Sequence, residues 1–154
     1  LAYISQKNLA EATKALDESI RIHRGLNGTW GAIATYWRGD VAWLEKDTAR
    51  AERQYKEALE IGARVGARRF VANALRGLAA VQSAKGHHHA AAELLGASDN
   101  VRQAANTSWL PPEAGQVKTT ENAAQGQLKG GYQAVWDAGH KRTMDQAIAY
   151  ARSL

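Results

Sequence analysis

The sequence has no cysteine and only two prolines in its 154 residues. The lack of cysteine excludes disulfides, thiolate nucleophiles and zinc–cysteine sites together, and it fits a reducing compartment. The prolines stand side by side, Pro111 and Pro112, where they stop any helix arriving from upstream. No apolar run approaches the ~20 residues of a membrane-spanning helix, and no signal peptide opens the chain. A soluble, cytoplasmic protein without membrane contact is expected. Catalytic motifs are also missing: there is no Gly-rich loop ending in Gly-Lys-Ser/Thr, no Gly-x-Ser-x-Gly elbow and no His-Glu-x-x-His. The expectation is a protein that is not an enzyme and uses no cofactor.

A hydrophobic content of 45% is enough for one globular domain with a real core. The chain opens at Leu1 already inside a helical pattern, which predicts a segment of a longer protein. Self-similarity is the strongest signal. "LAEATKALDESIRIHRGLN" from Leu9, "TARAERQYKEALEIGARVG" from Thr48 and "HHHAAAELLGASDNVRQAA" from His87 align at successive shifts of 39 residues. Ala12, Ala51 and Ala90 coincide, followed by Leu16, Tyr55 and Leu94, and then by Ser19, Ala58 and Ala97. Small, large, small at helical spacing lets a neighbouring helix approach at two points and wedges a large side chain between them. Two further helical stretches, 29–46 and 68–86, precede the second and third of these, with Gly39 and Gly77 at corresponding places. The unit is a helix hairpin of about 39 residues, repeated at least two and a half times.

Gly39, Ala51, Tyr55 and Ala58 fall at the spacings of the tetratricopeptide repeat, which this segment resembles. The resemblance implies an all-α, tetratricopeptide-like α-solenoid of stacked antiparallel hairpins over residues 1–106. Residues 107–154 are expected to form a helical cap of the same domain. From "GLAAVQSAKGHHHAAAELLGASDNVRQAAN" through "LPPE" to "YQAVWDAGHKRTMDQAIAYA", the chain is similar to the C-terminal end of large bacterial regulators. These are LuxR-type and related multidomain transcriptional activators, and adenylate-cyclase-like proteins. Ala91 to Ala97 and the Trp136-to-Gly139 motif carry that likeness. Within the tail, Pro112 with Glu113 reads as a helix start, and the Gln-, Thr- and Gly-rich stretch after it as a short helix. "KGGY" at 129–132 reads as a break, Gly139 as a helix end, and Thr143 with Gln146 as a capping box.

Three candidate surfaces follow. His87, His88 and His89 are consecutive, so on a helix they diverge by about 100° each, whereas helical metal pairs need i, i+3 or i, i+4 spacing. A solvated turn, not a metal site, is expected there. Residues 1–60 hold nine basic and nine acidic side chains, whereas 61–92 contain Arg64, Arg68, Arg69, Arg76 and Lys85 and no acid. That basic patch is expected to be solvated or to face another domain, with a phosphate-bearing ligand as the alternative and nucleic acid less favoured because no nucleic-acid motif accompanies it. Finally, the family's groove positions fall on Ile33, Tyr36, Asp40 and Trp43 in the second hairpin and on Val71, Ala74, Leu78 and Val81 in the third. Such a groove would take a peptide or an amphipathic helix, while the alternative is that Trp30, Trp37 and Trp43 belong to the core. The resemblance thus implies a non-catalytic interaction or ligand-sensing module at the end of a transcriptional regulator, or the scaffold tail of an adenylate-cyclase-like enzyme. The partners it suggests are a protein or peptide, upstream domains of its own chain, a small-molecule inducer, or a second copy in a homo-oligomer.

Overall fold

A computed structural model describes residues 8–23 and 29–154. The described residues form α-helices joined by short turns: α1 (Leu9–His23), α2 (Thr29–Leu44), α3 (Thr48–Arg64), α4 (Arg68–Ala84), α5 (His88–Ala104), α6 (Pro111–Leu128), α7 (Tyr132–His140) and α8 (Met144–Arg152), with one 3-10 turn at Lys129–Gly131. No strand occurs among them. The end of the first predicted repeat segment, 24–27, lies outside the described residues.

The turns are built alike. Lys46, Gly66, Gly86 and Asn106 each adopt a positive φ, 61°, 66°, 82° and 51°. The following N–H reaches back five residues in every case: Asp47 to the Ala42 carbonyl, Ala67 to Gly62, His87 to Gln82, and Thr107 to Arg102. This is the left-handed helix stop, in which one αL residue turns the chain and satisfies an orphan carbonyl. From Thr48 onward each 17-residue helix is followed by the same turn, so α3 and α5 start 40 positions apart, Thr48 against His88. The first interval is 39 because α2 has 16 residues. The predicted alignment therefore slips by one in the third hairpin. Ala91, fully buried like Ala51, takes the place assigned to Ala90, which is half-exposed.

From α1 to α6 consecutive helices pack as antiparallel pairs, α2 packs on α4 and α4 on α6, while α3 and α5 are not close neighbours and α7 packs chiefly on α5. The stack therefore curves, with α2, α4 and α6 on its inner side. Covered by α3, α5, α6 and α8, α4 is buried without interruption from Val71 to Gln82. The tail differs from expectation at two points. Pro111–Leu128 is a full 18-residue helix, begun by the two prolines at positions that need no N–H donor. Gly139 stands one residue before the end of α7 at His140, and its lack of a side chain serves a close crossing rather than a left-handed helix stop. The Thr143–Gln146 capping box is present, with reciprocal bonds of 3.2 and 3.0 Å.

Candidate binding pocket

The inner layer is organised around one phenol. The Tyr55 ring is wedged between α2 and α4, and a Cβ at either Gly39 or Gly77 would collide with it. Both glycines are thus required by packing, at a helix-propensity cost of ~1 kcal/mol each. The residues flanking them meet at the phenol's tip. Tyr55 Oη donates to Asp40 Oδ1 at 2.7 Å, and Arg76 Nη2 donates to both Asp40 oxygens at 3.0 and 3.1 Å. From α6, Gln116 accepts from Arg76 Nη1 and lies 3.4 Å from the phenol oxygen. Arg76 is 1% exposed. Burial opposes its charge, but the Asp40 carboxylate holds the guanidinium even more firmly protonated. Burial and the same carboxylate push the Tyr55 phenol well above its ordinary value, so it stays a donor.

Beside this network, α2 and α6 face each other across α4 and leave a pocket of about 250 Å³. Trp37, Trp43 and Leu44 form one wall, Asp40 and Arg76 the floor, and Glu113, Gln116, Thr119 and Thr120 the opposite wall. Glu113 is 3% exposed. Its Oε2 accepts the Leu110 N–H at 2.8 Å, closing the start of α6, while its Oε1 is buried without a partner. Burial raises the Glu113 carboxyl above the usual carboxylate range, against the Leu110 N–H and Arg76, which act the other way. A carboxyl that binds its proton more tightly when folded loses stability as pH rises between its ordinary and its raised value. Glu113→Gln, which keeps an acceptor for Leu110, is expected to melt higher than the wild type at pH 7, with the gap closing by pH 4. Melting curves at several pH values test this; a gap that widens in acid would show that Glu113 is stabilised as the anion.

The small–large–small triplet Ala51, Tyr55, Ala58, seated against paired glycines, lies inside a segment with a family likeness. Residues 31–98 match the tetratricopeptide repeat family. The match runs from α2 into α5, and the fold is an all-α, tetratricopeptide-like solenoid. No curated protein and no solved structure gave a match to the chain. No helix among the described residues is long and apolar enough to cross a membrane.

Within the tetratricopeptide-like region the predicted site residues divide. Asp40 and Trp43 line the pocket, with Trp37 added to them. Tyr36 and Leu78, expected in the groove, are each 2% exposed and belong to the core. Tyr36 turns away to stack on Phe70, with ring centres 6.2 Å apart, and burial pushes its phenol above the ordinary range. Leu78 is covered because α4 is enclosed on all sides. Ile33 is half-buried and packs against the same core cluster. Trp30, a candidate core residue, is 60% exposed.

The basic patch does not assemble. Arg76 is inside the protein on Asp40, and Lys85 binds Glu52 at 2.6 Å. Arg64 and Arg68 remain exposed and Arg69 half-exposed, at the other end of α4 from Lys85, about 25 Å away at 1.5 Å per residue. A sequence run free of acids meets acids from α2 and α3 once folded. His87 contacts Gln82 at 2.8 Å and His89 approaches Glu93 at 3.9 Å, and no group of three potential metal ligands occurs among the described residues.

Sequence reading missed two features. Glu113 was visible only as a favourable helix-start residue, and nothing local marks it as a pocket wall. The second is the crossing of α5 and α7. A Cβ at Gly96 would overlap the Trp136 carbonyl, and one at Gly139 the Glu93 carbonyl, so the two backbones touch. Arg142, just past α7, secures the crossing by donating to Glu93 and lies over the Tyr150 ring at 4.5 Å.

Proposed function

We propose that the protein is a non-catalytic interaction module whose pocket between α2 and α6 receives an apolar group of about residue size, from a partner or a small ligand. The observation that supports it is a concave site with two tryptophans on one wall and buried polar groups on the floor and far wall. Repeat solenoids use their concave faces for binding, and sites of this make-up, largely apolar with a few fixed polar groups, are those that take ligands. Residues 1–106 act in this reading as the repeat array and 107–154 as its cap, with α6 supplying half the pocket. The setting at the end of a bacterial regulator is suggested by the likeness of Ala91–Ala97 and Trp136–Gly139 to such proteins.

A screen of residue-sized apolar fragments, cationic, neutral and anionic, read by tryptophan fluorescence, tests the reading. Binders are expected, and Trp43→Ala or Leu44→Asp should weaken them about ten-fold or more while leaving the helical circular dichroism unchanged. Leu44 is an exposed position, so that variant keeps the test open if Trp43→Ala is unstable. Fragments of no charge class altering the fluorescence, or binding that both variants retain in full, would remove the pocket from the function.

A further inference from the structure

The polar atoms of the pocket are one-sided. Thr119 and Thr120 both line it, yet their hydroxyls donate backward to the Gly115 and Gln116 carbonyls at 3.0 and 2.9 Å. Their protons are committed to α6, which leaves oxygen lone pairs as what they offer a ligand. Gln116 accepts from Arg76 and turns its amide toward Tyr55. Glu113 Oε1 is a buried acceptor with no donor. Pro111 and Pro112, ahead of it in the first turn of α6, have no N–H to give. Arg76 and Arg69 offset the Glu113 charge only through space: Arg76 donates to both oxygens of Asp40, and neither guanidinium hydrogen-bonds Glu113. On the floor Arg76 Nε is a donor with no acceptor, and the α2 wall brings the indole N–H groups of Trp37 and Trp43. The balance is a cluster of acceptors around a carboxyl that no cation hydrogen-bonds, opposite two indole rings that favour a cation at their faces.

We infer that the pocket binds a small organic ammonium compound: an apolar body seated between Trp37 and Trp43, and an N–H-rich cationic head directed to Glu113 Oε1 and the Thr119 and Thr120 hydroxyls. This rests on the pocket reading above and adds the charge and chemistry of what enters. A primary ammonium supplies three donors, matching three acceptors where the α6 wall offers hardly any donor of its own. A carboxylate would face Glu113 as a like charge, and a neutral isostere would leave the buried carboxyl unpaired. The volume, about 250 Å³, suits one ring or a branched chain with a short arm, below the ~300–1,000 Å³ of sites for drug-sized ligands.

Three matched probes decide it: 2-phenylethylamine, 2-phenylethanol and 3-phenylpropionate, titrated to millimolar concentration at neutral pH against the wild-type chain, by calorimetry and tryptophan fluorescence. The amine is expected to bind about ten-fold or more tightly than either of the others. Glu113→Gln, which presents an amide in place of the carboxylate, is expected to abolish that preference, and Trp43→Ala to weaken all binding. Equal or tighter binding of the alcohol or the carboxylate overturns the ammonium inference while leaving the pocket itself in use. Failure of all three probes overturns the inference, and the fragment screen then decides the pocket on its own. Preference for the amine that survives in Glu113→Gln also overturns it, by removing the carboxylate from recognition.

Discussion

Asp40→Ala is expected to destabilise the protein by ~3–5 kcal/mol, because it strands the Arg76 guanidinium inside the fold without its counter-charge. The same change removes the acceptor of the Tyr55 hydroxyl, so two buried donors lose their partner at once. For a domain whose total stability is ~5–15 kcal/mol, that is a large share. The contrast is with the double variant Asp40→Leu/Arg76→Met. Replacing both members of a buried pair by apolar groups of similar size is often near neutral, so the double variant should be more stable than Asp40→Ala alone. Urea denaturation of wild type, single and double variants measures this directly. A single variant within ~0.5 kcal/mol of the wild type would mean that the guanidinium is not enclosed as described.

Gly139→Val should be the most damaging change in the tail. The added Cβ would strike the Glu93 carbonyl, part of a helix backbone, which has no rotamer by which to give way. Overpacking ordinarily costs ~1–3 kcal/mol. Here relief requires α7 to lift from α5, and with it the Arg142–Glu93 contact, so the loss is expected at or above that range. Gly96→Val should act in the same way from the other helix, against the Trp136 carbonyl. Gly126→Ala is the control: a Cβ there meets nothing within 4 Å, and α6 gains ~1 kcal/mol of helix propensity. Urea midpoints, with limited proteolysis after Lys141 as a report on the tail, separate the cases. A neutral Gly139→Val would place the two helices further apart than described.

The sequence announced the hairpins through Gly39, Ala51, Tyr55 and Ala58, because a close helix crossing restricts residue size at fixed spacings and leaves a pattern. It failed where burial has no period. Along α4 every residue from Val71 to Gln82 is enclosed, so no stripe separates a core face from a groove face, and Leu78 was assigned to the wrong one. Arg76 was misread for a related reason, since a charge run shows which residues are near in sequence and not which acids approach from other helices. One signal was available: Asp40 directly follows Gly39 and Arg76 directly precedes Gly77, and two glycines on one wedge bring their neighbours together. Glu113 had no such marker. Its meaning depends on α6 lying opposite α2, an arrangement fixed by the length and curvature of the stack.

The recurring left-handed residue at 46, 66, 86 and 106 gives the chain a natural unit of change. A duplication or excision of forty residues, cut at two like turns, returns each helix to the same layer with its small and large residues facing as before. Twenty residues would exchange inner helices for outer ones, setting residues shaped for the Tyr55 wedge against the wrong neighbour. Any other length within a helix rotates everything beyond it by about 100° per residue and turns core positions to solvent. The family of lengths open to such an array is therefore discrete, and a longer relative would gain a second pocket only in steps of one whole hairpin.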